Sequence, residues 1–268
     1  MYNGQTVSDG WPIGATGEQT LFLRATVAYD GTDFNGYQVQ AGQRTVQGTL
    51  EAALMQVTQE RVRISAAGRT DSGVHALGQV IAFRTRWSHS IGALLRGLNA
   101  VLPSDVAILT LDLAPEGFHP RFDARSRVYR YTVWNDPARN PLLRRYAYWV
   151  SQPLNVAAMN EAAQLLVGTH DFATFGLPPK GMRTVRRVIR AGWTQNLHTL
   201  YFEIEADAFL YRMVRSIVGT LLKIGRGEWS IDEFVARFAA TDRSLSGPVA
   251  PAYGLCLMAV NYDISEPV

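Results

Sequence analysis

The run Gly68-Arg69-Thr70-Asp71-Ser72-Gly73-Val74-His75-Ala76 sets one carboxylate among basic and glycine residues. Such a loop can hold a reactive group still at a strand end, where the scaffold fixes its position. It can also use the aspartate only to fold a turn, the carboxylate accepting a neighbouring backbone N–H. The flanks read as strands: residues 62–66 alternate in character, and Val80-Ile81-Ala82-Phe83 is a short apolar run of strand formers. Asp71 is therefore the first candidate for chemistry, and the rest of the chain must decide between the two readings.

Two further segments carry functional side chains. Phe118-His119-Pro120-Arg121-Phe122-Asp123-Ala124 leads into Arg127-Val128-Tyr129-Arg130-Tyr131, where a period of two puts Arg127, Tyr129 and Tyr131 on one strand face. Tyr129 can offer its ring for stacking on a base or fill a core with its hydroxyl satisfied. Phe209-Leu210-Tyr211-Arg212-Met213-Val214-Arg215 opens a helix whose apolar face excludes Arg215, leaving it grouped with Tyr211 and Gly219 by i, i+4 spacing. An arginine near a helix start opposes the dipole, so it calls for another reason, either a partner carboxylate or plain exposure.

The elements that must position these residues follow from periodicity. Residues 21–29 read as a strand and 46–57 as an amphipathic helix, then come the two strands flanking Asp71. Ser90 caps a helix striped by Ile91, Leu94, Leu95 and Leu98, and 106–113 is a further strand. The order is βαββαβ, a ferredoxin-like unit. The second half repeats that order: strand 128–134, helix 156–167 stopped by Gly168, strands 185–193 and 199–206, helix 210–224 ended by Gly225, and strand 254–262. Ser230 and Glu233 form a capping-box pair for a short extra helix. The expected class is α+β, two ferredoxin-like halves with antiparallel sheets side by side and an active-site cleft between them. The halves would span 20–113 and 114–268, after a loose tail at 1–19 rich in Gly, Thr and Gln.

Composition narrows the function. With 268 residues, 47% hydrophobic and 18% charged, the chain has the makings of a packed protein rather than a disordered one. Cys256 is the only cysteine and the five histidines lack ligand spacing, so neither a disulfide nor a metal site is expected. No apolar run has membrane-spanning length and no basic-then-apolar leader is seen, which predicts a cytoplasmic protein without a membrane partner. The net charge of +3 is carried by 24 arginines and two lysines, Lys180 and Lys223. Seven arginines fall between Arg121 and Arg145, interleaved with Tyr129, Tyr131, Trp134, Tyr146 and Tyr148, and Arg183, Arg186, Arg187 and Arg190 form a second run. Such stretches suit phosphate contacts with base stacking, or equally a solvated strand face with its aromatics in the core.

The segment Gly68 to His75 resembles the signature loop of the tRNA pseudouridine synthase A (TruA) family, and further segments match that family in the same order. They are Tyr29-Asp30-Gly31-Thr32-Asp33-Phe34-Asn35-Gly36-Tyr37-Gln38-Val39-Gln40, Thr45-Val46-Gln47-Gly48-Thr49-Leu50-Glu51, Leu98-Asn99-Ala100-Val101-Leu102-Pro103, residues 118–131, residues 209–215 and Pro251-Ala252-Tyr253-Gly254-Leu255. Tyr37 stands where the family often has Trp, and Tyr253 occupies a variable place.

The resemblance implies a cofactor-free and metal-free isomerisation of uridine to pseudouridine at positions 38, 39 and 40 of the tRNA anticodon arm, by a homodimer. It implies Asp71 as nucleophile or initiating base, Arg215 as the cation pairing with it, and Arg69 beside the target phosphate. Tyr129 would stack on the flipped uracil and offer its hydroxyl to the C5 proton, and Leu255 would complete the apolar wall. Flipping a paired base costs a few kcal/mol, which the basic runs would offset through backbone contacts. Two other readings stand beside it. A non-catalytic RNA-binding module of ferredoxin-like fold accounts for the arginines and aromatics but leaves the Asp71 loop without a purpose. A glycoside hydrolase would use Asp71 with Asp30 or Asp33 as its second acid.

Overall fold

The computed structural model describes residues 20–178 and 181–263; the expected tail at 1–19 lies outside them. The described elements are β1 (Leu21–Tyr29), α1 (Val46–Thr58), β2 (Ser65–Ala66), β3 (His75–Thr85), α2 (Ile91–Val101), β4 (Val106–Leu113), β5 (Ala124–Asn135), β6 (Tyr148–Val150), α3 (Val156–Gln164), β7 (Gly168–Asp171), β8 (Val185–Asn196), β9 (Thr199–Ala206), α4 (Met213–Gly225), α5 (Ile231–Ala239) and β10 (Leu255–Tyr262). Among the described residues the fold is α+β, with five α-helices and one large, mostly antiparallel sheet.

The strands run β4-β1-β3-β10-β5-β9-β8-β7, with β2 on β3 and β6 on β5. The strands of the two halves join in one continuous sheet through a short parallel pairing, Cys256 with His75 and Leu257 with Ala76. This seam falls at the start of β3, directly after the Asp71 loop. One core packs α1 and α2 on β1, β3 and β4, and another packs α3, α4 and α5 on β5, β8 and β9. Tyr129 packs against both, so its ring lies where the two cores meet.

Local chemistry sets the helix ends. The Thr45 and Ser90 hydroxyls accept from the N–H groups of Gly48 and Ala93, and Ser230 with Glu233 closes a reciprocal capping box. Helix α4 starts later than its periodicity predicts, at Met213, because Arg212 takes a left-handed conformation with φ 62°. It also ends differently: Gly225 is still helical, and Gly227, with φ 71°, makes the turn. Gly225 lets the Met159 side chain pack closely, where a Cβ would push its thioether aside. Helix α3 likewise stops at Gln164, leaving Gly168 at φ 119° to open β7.

Candidate active site

Asp71 lies in the loop between β2 and β3, and its Oδ2 meets the Arg215 guanidinium at 3.0 Å. Arg215 occupies the first turn of α4 and is more buried than Asp71, the two side chains being 14% and 24% exposed. Its Nε also donates to the Ala250 carbonyl at 2.7 Å. The i, i+4 grouping explains this seat. Gly219 brings α4 so close to the 247–250 segment that a Cβ would fall 1.6 Å from the Pro248 carbonyl oxygen, and Arg215 one turn earlier reaches along the same segment. The carboxylate partner supplies the reason for an arginine at this helix start.

The Asp71 loop is fastened from behind. The Val74 N–H donates to the Asp71 carbonyl at 3.1 Å, with Gly73 at φ 78°, so the aspartate does fold a turn through its backbone while its side chain is held by Arg215. Thr70 shares a buried hydrogen bond of 2.8 Å with Tyr29, whose hydroxyl burial pushes far above its ordinary pKa. The Thr70 carbonyl accepts from the Tyr37 N–H, and the Ser72 hydroxyl donates to the Phe34 carbonyl. Gly36, at φ 83°, allows this close approach: a Cβ there would sit 3.1 Å from the Thr70 carbonyl oxygen. Gln79, wholly buried, donates to the Gly68 carbonyl at 2.9 Å.

The other expected residues lie as follows. Tyr129 and Tyr131 share a face of β5, since its pairing with β9 runs without a shift from Arg127 to Trp134. The Tyr129 ring is met edge-on by Phe209 at 5.0 Å and 83°. Burial pushes its hydroxyl up to about 12, with Arg127 pulling down and Asp71 adding to the rise. Leu255, paired with Tyr131, is buried in the second-half core. Arg69 is exposed, and its guanidinium makes no hydrogen bond or ion pair with a described residue. Periodicity did not single out Phe209, although it stood within the 209–215 segment.

The other carboxylates are spoken for. Asp30 accepts from Thr32 and from the Tyr146 hydroxyl at 2.8 Å; burial works to raise its pKa, but these hydrogen bonds win and hold it below the usual value. Arg145 lies 3.5 Å from Asp33 and 3.8 Å from Asp30. Both carboxylates that a glycoside hydrolase would set beside Asp71 are thus held by other partners. Asp30 lines, with His75, Arg130, Tyr146 and Cys256, a cavity of about 390 Å³ that does not include Asp71. His75 is held at both ring nitrogens: Nδ1 meets the Gly31 N–H at 3.0 Å and Asp30 Oδ1 at 3.1 Å, and Nε2 faces the carbonyls of Arg145 and Tyr253. Among the described residues no group of three or more His, Cys, Asp or Glu side chains is arranged to hold a metal ion.

The basic runs divide on folding. Arg125, Arg130, Arg145 and Arg190 are ion-paired, the last bridging Glu203 and Glu205. Arg121, Arg139, Arg144, Arg183 and Arg187 remain exposed.

The structure thus pairs the Asp71 carboxylate with a half-buried arginine, near a half-buried tyrosine, and the family of the whole chain follows from comparison with known proteins. The family model described as tRNA pseudouridine synthase matches residues 25–123 and 162–263, and the chain belongs to that family. A Bacillus velezensis protein named tRNA pseudouridine synthase A is 46% identical over 244 residues, covering 90% of this chain and 99% of its own. Bacillus subtilis and Chloroflexus aurantiacus proteins of the same name are 45% and 48% identical, over 90% and 88% of this chain and 99% and 87% of theirs.

Proposed function

We propose that this chain is an isomerase that converts uridine to pseudouridine in tRNA, at positions 38, 39 and 40 of the anticodon arm. The observation that carries the reading is the Asp71–Arg215 ion pair beside Tyr129, in a chain that belongs to the family over most of its length. The reaction breaks the N1–C1′ bond, turns the uracil, joins C5 to C1′ and releases the C5 proton to water. Asp71 starts it, either by adding to the sugar or by abstracting a proton to give a glycal. Both routes require an ionised carboxylate held in one rotamer, which the two tethers on Arg215 support.

Tyr129 provides the stacking surface for the flipped base, backed edge-on by Phe209, with Leu255 in the apolar wall. A phenol near 12 is protonated at neutral pH, so proton removal from C5 through its oxygen is slow unless the hydroxyl passes its own proton on. Arg69 meets the target phosphate. No cofactor or metal takes part. The two halves, 20–113 and 114–268, act as ferredoxin-like units; the strand orders β4-β1-β3-β2 and β10-β5-β9-β8 support this, each being a 4-1-3-2 arrangement. The enzyme works in the cytoplasm as a homodimer, both subunits contacting one tRNA.

The positions are tested by carbodiimide mapping of pseudouridine in transcripts carrying uridine at 38, 39 and 40. Product at these positions, absent when each is changed to cytidine, is expected. Product confined to another arm would overturn the site assignment.

A further inference from the structure

Arg127 precedes Tyr129 by two residues on the same face of β5, and its guanidinium has no carboxylate partner among the described residues. It donates instead to three carbonyls: one terminal nitrogen to Asp207 at 2.8 Å, the other to Ala67 at 3.0 Å and Arg121 at 2.8 Å. The Asp207 carboxylate makes no ion pair with it, its Oδ1 accepting from the N–H groups of Arg187 and Ala208, and favours its charge only from a distance. Each carbonyl belongs to a different segment of the chain. Ala67 opens the loop that carries Asp71; Asp207 follows β9 and begins the lead into Phe209 and α4; Arg121 lies in the connection that precedes β5.

A partly buried cation without a direct ion pair is an expensive way to satisfy carbonyls that water could reach. We propose that Arg127 is a positioning residue, its planar fork holding these three segments in one arrangement so that Asp71 and Arg215 meet beside Tyr129. The fork can serve three acceptors at fixed angles, which a lysine ammonium on a flexible stem cannot reproduce. This inference rests on the Asp71 site being the seat of the isomerisation.

The test compares R127K and R127A with the wild-type chain by single-turnover pseudouridine formation at saturating tRNA, by tRNA Kd, and by thermal melting. R127K keeps the charge and loses the fork. We expect its turnover rate to fall about 10- to 100-fold, as small misplacements of reacting groups do, while Kd stays within about threefold. Guanidinium ion at millimolar concentration should restore part of the rate to R127A but none to R127K, whose own side chain fills the space. Wild-type turnover by R127K overturns the proposal. So does a loss of affinity matching the loss of rate, which would make Arg127 a phosphate contact, or loss of cooperative melting by R127K, which would make it a residue of the fold alone. An inactive wild type would instead sink the isomerase reading itself.

Discussion

Arg215 gives Asp71 both a charge and a direction, because the guanidinium is itself tied to the Ala250 carbonyl. Arg215→Lys keeps the charge but cannot hold both partners, so its single-turnover rate should drop at least tenfold, with Arg215→Ala lower still. Equal rates for Arg215→Lys and wild type would show that charge suffices. Tyr129→Phe keeps the ring and loses the hydroxyl; we expect tRNA affinity to hold and C5 proton release to slow by about 10²- to 10⁴-fold, the range of general acid–base contributions. Unchanged release would leave Tyr129 a stacking surface only. Pattern alone singled out both residues, Arg215 outside an apolar stripe at a helix start and Tyr129 on a strand face with Arg127, but left each open to a structural role; their functional roles came from the family resemblance. The fork of Arg127 was not, since backbone carbonyls leave no signature in residue type.

The seat of α4 on the 247–250 segment fixes where Arg215 can reach. Gly219→Ala would drive a Cβ to 1.6 Å from the Pro248 carbonyl oxygen, so we expect destabilisation of about 1–3 kcal/mol or more, read as a lowered Tm. Gly68→Ala, where a Cβ meets nothing within 4 Å, should melt close to wild type, and the reverse order of the two variants would contradict the packing described. At this scale the capping residues Thr45, Ser90, Ser230 and Glu233 could be read from sequence because each cap is a local bond. The start of α4 could not, since its apolar face already begins at Leu210 while the backbone turns at Arg212. The short strands β6 and β7 were missed for the same reason: three and four residues carry too little periodicity, and their pairing is decided by β5 and β8.

Across the whole molecule, folding decides which charges face a polyanion. Arg190→Gln should leave the salt dependence of tRNA binding unchanged, because Glu203 and Glu205 already hold that guanidinium. Arg139→Gln or Arg183→Gln, at exposed positions, should reduce the slope of log Kd against log salt by up to about one each. Equal effects at all three would mean that the ion pairs break on binding. The same pairs shape acid stability. Asp30, Glu203 and Glu205 lie below their ordinary pKa values: Glu203 chiefly through the Arg130 hydrogen bond, Asp30 and Glu205 through hydrogen bonds that outweigh burial. Depressed carboxylates contribute stability that is present above about pH 4.5 and is lost as pH falls through their folded values, so Tm should decline below pH 4.5 and the decline should lessen in Asp30→Asn. The linking of both halves into one sheet could not be read from sequence, because it rests on two parallel pairs at the β3–β10 seam. The measurement that reaches the central claim most directly is release of tritium to water from tRNA labelled at uridine C5 in the anticodon arm, for wild type and Asp71→Ala. Release by the wild type alone, with tRNA binding retained in the variant, is the predicted result. Near-normal release by Asp71→Ala, or none by wild type on bound tRNA, would contradict it.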